Sequence, residues 1–250
     1  MKRRSSSRFA LPALLERWIT PVAYPATCPV CGAVMAHGQA AWCAACDPLV
    51  ARVSHPLCPL CHRFLPGIDA DCPSAHAATL PRAVHALGIF DRAWRSVIHA
   101  FKYHGHKALA WPLGSLLAES VSRHPGPQAI IAVPTDKRKH QERGFGHAEL
   151  LAHAVARQTG IQFLGDGLRH TRRIPDQTKL TGRQRLTNLE GAFAVSDASS
   201  VDGKTILVVD DVMTTGATLR EAARALTAAG AKNVVGAVVA ANLGGLAEGY

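Results

Sequence analysis

Residues 206–219 read ILVVDDVMTTGATL, and the way that line breaks decides the fold. Ile206, Leu207, Val208 and Val209 form an unbroken apolar run, the pattern of a parallel strand covered on both faces. Asp210 and Asp211 then stand where the strand gives out. A turn through Met213, Thr214, Thr215, Gly216 and Ala217 leads into a helix at about Thr218. Open α/β sheets bind ligands at the carboxyl ends of their strands, and both carboxylates would stand there. Thr214, Thr215 and Thr218 offer hydroxyls, Gly216 permits close backbone approach, and amides at the helix start favour a phosphate. Carboxylates accept hydrogen bonds from a sugar diol, so the loop and the acidic pair together describe a site for a ribose 5-phosphate. The Gly-Lys-Ser/Thr of a Walker loop is missing and no GxGxxG follows a strand, which disfavours nucleotide hydrolysis and dinucleotide redox chemistry.

Outward from this line the pattern alternates. Strands are predicted at 85–90, 129–133, 192–195, 205–209 and 234–240, and helices at 94–101, 108–122, 149–158 and 219–229. That order predicts an α/β fold, a parallel sheet flanked by helices. Residues 164–189 hold Gly, Pro, Asp and Arg without sustained period and read as a long exposed loop, a kind that is often functional.

All seven cysteines lie between Cys28 and Cys72. Cys28-x-x-Cys31 and Cys43-x-x-Cys46 are two knuckles at the separation of a zinc ribbon, whose four thiolates close a tetrahedral shell and leave no position for catalysis. Cys58, Cys61 and Cys72 repeat the pattern, but Ala75 stands where a fourth cysteine would fall, and His76 is the nearest substitute. Disulfides do not suit a chain without a secretion signal. A cysteine-rich stretch this short of large apolar groups cannot stabilise itself by burial, whereas a structural zinc contributes about 10–16 kcal/mol. The expected division is a leader helix over 1–27, a zinc-ribbon module over 28–78 and an α/β domain over 79–250.

The chain has 250 residues and a formal charge of +10, which favours phosphorylated small molecules, nucleic acid or acidic surfaces as partners. The stretch from 135 to 190 carries 11 basic and six acidic side chains, and Lys137, Arg138, Lys139, Arg143, Lys179, Arg183 and Arg185 are its candidate ligands for an anion. No apolar run is long enough for a membrane span, and the apolar stretch that follows the basic start is broken by Pro12 and ends at Glu16 and Arg17, so a cytoplasmic location is expected.

VVDDVMTTGATL at 208–219 resembles the phosphoribosyl pyrophosphate (PRPP) motif of type I phosphoribosyltransferases. With the cysteine ribbons, VPTDKRKHQERGFGHAELLA at 133–152 and QTKLTGRQRLTNLEGAF at 177–193, the chain from about residue 18 is similar to the ComF family of competence proteins. The resemblance implies a phosphoribosyltransferase fold, PRPP with Mg²⁺ as ligands beside structural Zn²⁺, and a role in handling incoming single-stranded DNA during natural transformation. Carried over by position, Asp210 and Asp211 would bind the ribose. Met213, Thr214, Thr215, Gly216, Ala217 and Thr218 would bind the 5-phosphate, and Thr135, Asp136, Lys137, Arg138 and Arg143 the pyrophosphate. Where relatives commonly read Arg-Gly-Phe-Asn-Gln, this chain has Gly146 and His147 in the last two places. The implied chemistry is attack of a nucleophile on the anomeric carbon with pyrophosphate leaving. Two other functions fit the residues: a single-stranded nucleic-acid binder using the basic surface and the ribbons, and an adaptor whose zinc module docks a partner protein, for which the resemblance implies competence or recombination proteins, while the α/β domain senses PRPP.

Overall fold

A computed structural model describes residues 27–35, 40–72, 81–103, 106–122, 126–136, 145–172 and 189–243. Strand β1 (Val84–Ile89) leads through helices α1 (Arg92–Tyr103) and α2 (Ala110–Ser122) to β2 (Ala129–Ala132). Helix α3 (His147–Thr159) carries the chain to β3 (Gln162–Phe163), and β4 (Leu168–His170) and β5 (Phe193–Val195) follow. Strand β6 (Thr205–Met213), helix α4 (Ala217–Ala228) and β7 (Asn233–Ala241) complete the order. Five strands form one sheet in the order β1-β7-β6-β2-β3, each neighbour pair parallel, while β4 and β5 form a separate antiparallel pair.

The central strands are apolar without alternation because both their faces are covered: Ile206 to Val209 of β6 and Val234, Ala237 and Val238 of β7 expose nothing. Helices α2 and α3 pack on each other, and α3 also lies on β2 and β6. None of the described helices is long and apolar enough to cross a membrane.

Three elements differ from the sequence expectation, the first being β3, a two-residue strand beside β2 where the sequence predicts none. Strand β6 runs on from Val209 to Met213, because β7 supplies partners for the added residues: Asp210 pairs with Val238, Val212 with Ala240 and Met213 with Ala241. The acidic pair is thus held inside the ladder. Within the stretch expected as a loop, Leu168–His170 forms β4, which finds its partner only across the long excursion, in β5.

The cysteine-bearing segment is seated on the sheet. The Val53 amide donates to the Leu87 carbonyl at 2.8 Å, and Leu57 and Val84 exchange two backbone hydrogen bonds of 2.8 and 2.9 Å along β1. The Trp94 indole of α1 donates to the Ala51 carbonyl at 2.8 Å and meets Trp42 edge-on at 5.5 Å, so one apolar core runs from Cys28 and Trp42 into the sheet. The boundary expected near residue 78 lies outside the described residues.

Gly88 makes the Trp94 contact possible, since a Cβ there would sit 1.8 Å from the indole nitrogen. Gly88→Ala is expected to force the ring off its seat and cost about 1–3 kcal/mol, the range for overpacking a filled core. Urea unfolding measures this, and an unchanged midpoint would show that the tryptophan seat bears no stability.

Candidate functional site

From β2 the chain passes through α3 to β3, away from β6; from β6 it passes through α4 to β7, in the opposite direction. The carboxyl ends of β2 and β6 therefore flank the point where the connections diverge, the crevice in which open α/β sheets bind ligands. Ala132 is in register with Val209, and the Val133 amide donates to the Val209 carbonyl at 2.9 Å. Thr135 and Asp136 beyond β2 and Asp210 and Asp211 of β6 thus extend from neighbouring strands. Thr135 also meets the start of α3, where a Cβ on Gly146 would come within 2.9 Å of its hydroxyl. Lys137, Arg138, Lys139, Arg143, Lys179, Arg183, Arg185 and His76 lie outside the described residues.

The acidic pair is partly buried and held by a cation that the sequence reading missed. Lys102, in the last turn of α1, reaches Asp211 Oδ1 with its Nζ at 2.8 Å. The Asp211 amide donates to Asp210 Oδ1 at 2.8 Å. Burial, and then the charge of Asp211, push the Asp210 carboxyl up to about 7, against the pull of the Asp211 amide and Lys102. Two carboxylates and one lysine thus share one cluster, in which the Asp210 carboxyl keeps its proton more readily than a free one. The only sequence signal for Lys102 was a lone lysine closing an amphipathic helix.

After Met213 the backbone turns through Thr214 and Thr215 to Gly216, whose φ of 69° is the left-handed conformation that glycine adopts without strain. Helix α4 starts at the next residue. Thr214 is exposed, Thr215 and Thr218 are partly so, and Met213 and Ala217 are buried. Three hydroxyls therefore border the loop, while Met213 and Ala217 can offer a ligand only their backbone.

Two groups of cysteines could each hold a metal ion: Cys28, Cys31, Cys43 and Cys46, and Cys58, Cys61 and Cys72, their sulfurs lying within 4.8 Å of one another in each group. None is in a disulfide. Cys31 and Cys43 Sγ stand 3.7 Å apart, and Cys61 and Cys72 Sγ 3.4 Å. A tetrahedral shell with bonds of about 2.3 Å places its sulfurs about 3.8 Å apart, so both groups have the dimensions of thiolate sites. Burial pushes the Cys28 thiol up, but the amides of Cys43, Cys31 and Val30 donate to its sulfur and bring it down to about 6. Burial and the neighbouring sulfurs push Cys46 up to about 12. A bound cation is what lets all four ionise together.

Comparison with known proteins identifies the family. The family described as phosphoribosyl transferase domain matches residues 146–248. The chain is 31% identical over 219 residues to the DNA utilization protein YhgH of Escherichia coli O157:H7, covering 84% of this chain and 94% of that protein. It is 26% identical over 193 residues to the competence protein ComFC of Streptococcus pneumoniae, covering 77% and 84%. A solved glutamine PRPP amidotransferase from B. subtilis is similar at 19% identity with a TM-score of 0.37, over 63% of this chain and 28% of that one. With a phosphoribosyl transferase domain behind its cysteine clusters, and matched to such relatives over most of its length, the chain belongs to the ComF family.

Proposed function

We propose that the crevice between the β2 and β6 ends binds PRPP with magnesium, and that the chain acts on it as a phosphoribosyltransferase. The observation that supports this best is the meeting of three features at the topological switch point: the Asp210–Asp211 pair, the threonine loop at the start of α4, and the β2 end against the start of α3. Asp210 and Asp211 accept hydrogen bonds from the ribose hydroxyls and fix the ring. The hydroxyls of Thr214, Thr215 and Thr218 and the first amides of α4 hold the 5-phosphate. Thr135, Asp136 and the start of α3 face the pyrophosphate, with Lys137, Arg138 and Arg143 as its cations. Hard carboxylate oxygens such as those of Asp136 suit magnesium, which when bound neutralises the departing pyrophosphate. As the bond to pyrophosphate lengthens, positive charge grows on the ribose, and fixed carboxylates stabilise it.

The cysteine clusters are assigned to structural zinc, His76 being the candidate fourth ligand of the second, and the cysteine-bearing segment to a small module packed on the α/β domain. The names of the relatives support a place in the use of incoming DNA, with single-stranded DNA and competence or recombination proteins as partners. Calorimetric titration with PRPP and magnesium tests the pocket: a dissociation constant between about 1 μM and 1 mM, the usual range of substrate affinities, is expected. An absence of binding, beside an oligonucleotide affinity that falls steeply with salt, would replace PRPP with a nucleic-acid backbone as the ligand.

A further inference from the structure

The second cysteine cluster touches the threonine loop. Its first knuckle, Cys58 to Cys61, points Pro59 at Gly216: a Cβ on that glycine would lie 2.5 Å from the Pro59 carbonyl oxygen, so the two backbones meet with room for no side chain. The same knuckle reaches the other end of the loop. The His62 ring hydrogen-bonds the backbone of Asn242, and the Asn242 amide donates to the Met213 carbonyl at 2.7 Å. The segment that would hold the 5-phosphate, from Met213 to Gly216, is thus backed at both ends by residues of one cysteine turn.

That turn is held in a demanding shape. His62 has a φ of 58°, in the left-handed region that non-glycine residues rarely occupy. Two backbone bonds close it, Cys58 to the Arg63 carbonyl at 2.9 Å and His62 to the Cys58 carbonyl at 3.0 Å. The Leu57–Phe64 bridge and the bond from the Leu65 amide to the Pro56 carbonyl at 2.7 Å flank it, and the cluster adds a further restraint, with Cys58 and Cys61 at the two ends of the knuckle and Cys72 crossing from farther along the chain. A strained turn persists only when its surroundings over-determine it. A metal ion held by Cys58, Cys61 and Cys72 would supply such a restraint.

We propose that the second cysteine cluster is a metal-dependent support for the phosphate loop, so that zinc occupancy at Cys58, Cys61 and Cys72 sets the affinity of the pocket for a phosphorylated pentose. This rests on PRPP as the ligand of the loop, and it gives the cluster a part in ligand binding besides holding its own segment together. The first cluster, whose contact to the α/β part runs through Trp42 and Trp94, has no such link to the loop among the described residues.

The full-length zinc-loaded chain is compared with Cys61→Ser and Cys31→Ser for zinc content, PRPP affinity by calorimetry with magnesium, and amide exchange across residues 213–217. Cys61→Ser is expected to lose one zinc, bind PRPP at least about tenfold more weakly and exchange faster over 213–217. Cys31→Ser loses the other zinc with less than about a threefold change in affinity. Loss of zinc from Cys61→Ser with affinity and exchange unchanged overturns the coupling, as does an equal weakening in both variants or a parent chain holding a single zinc. If the parent binds no PRPP, the assigned ligand is wrong, and the exchange rates still decide whether the cluster supports the loop. Should Cys61→Ser not fold, His62→Ala keeps every thiol and removes the bond to Asn242: faster exchange over 213–217 at full zinc content supports the proposal, and unchanged exchange defeats it.

Discussion

Asp211→Asn is expected to weaken PRPP binding about 10- to 150-fold, because a hydrogen bond to a charged group contributes about 1.5–3 kcal/mol and each tenfold in affinity is about 1.4 kcal/mol. The substitution keeps the shape and the β6 ladder while removing the charge that both the ribose hydroxyls and Lys102 use. Calorimetry on the two proteins gives the answer, and equal affinities would take Asp211 out of the site. Asp210 shapes the pH dependence of the same measurement. Its carboxyl is held at about 7, and a sugar hydroxyl donating to it selects the ionised form, so affinity falls as the pH drops through that value. Lys102→Met removes the cation that pulls Asp210 down and moves the midpoint to higher pH. Stability runs the other way. The folded pKa lies above the ordinary 3.8, so the folded chain keeps its proton longer than the unfolded one, and stability is lost as the pH rises from about 4 through 7. Asp210→Asn therefore gains stability over the parent at about pH 8 and none at about pH 4, as urea midpoints would show.

Removing zinc from the first cluster is expected to have the largest effect on the fold. A structural zinc contributes about 10–16 kcal/mol of apparent binding energy, comparable with the entire stability of an ordinary domain. Cys46→Ser, at a buried candidate ligand position, should loosen residues 27–50, expose the remaining thiols of the first cluster to a chromogenic reagent and shift the emission of Trp42 and Trp94, whose rings meet at 5.5 Å. Chelation, which strips both clusters, should in addition free the thiols of Cys58, Cys61 and Cys72. Retained tryptophan packing in metal-free protein would mean that apolar burial alone holds the segment.

The sequence announced most strongly what repeats or runs unbroken. The apolar line from Ile206 to Val209 and the three Cys-x-x-Cys or related spacings could be read directly, because each rests on neighbours in the chain. The long-range contacts left less trace. Lys102 joins Asp211 from 109 positions away, and nothing in the spacing of α1 distinguishes it from a solvated lysine. Aspartates are poor strand formers, so the end of the hydrophobic run looked like the end of β6. The backbone partners that prolong the strand belong to β7. The touch between Pro59 and Gly216 is invisible for the same reason: each residue serves its own turn, and only the folded sheet brings the two turns together.

The seat of the cysteine-bearing segment on β1 also bears on solubility. β1 is an outer strand of the sheet, and Val53 and Leu57 engage the polar backbone of Val84 and Leu87 that would otherwise invite another chain to add a strand. A protein stripped of its metals would lose more than a small appendage: it would uncover a ready template for pairing between molecules, and self-association would follow the loss of the ion.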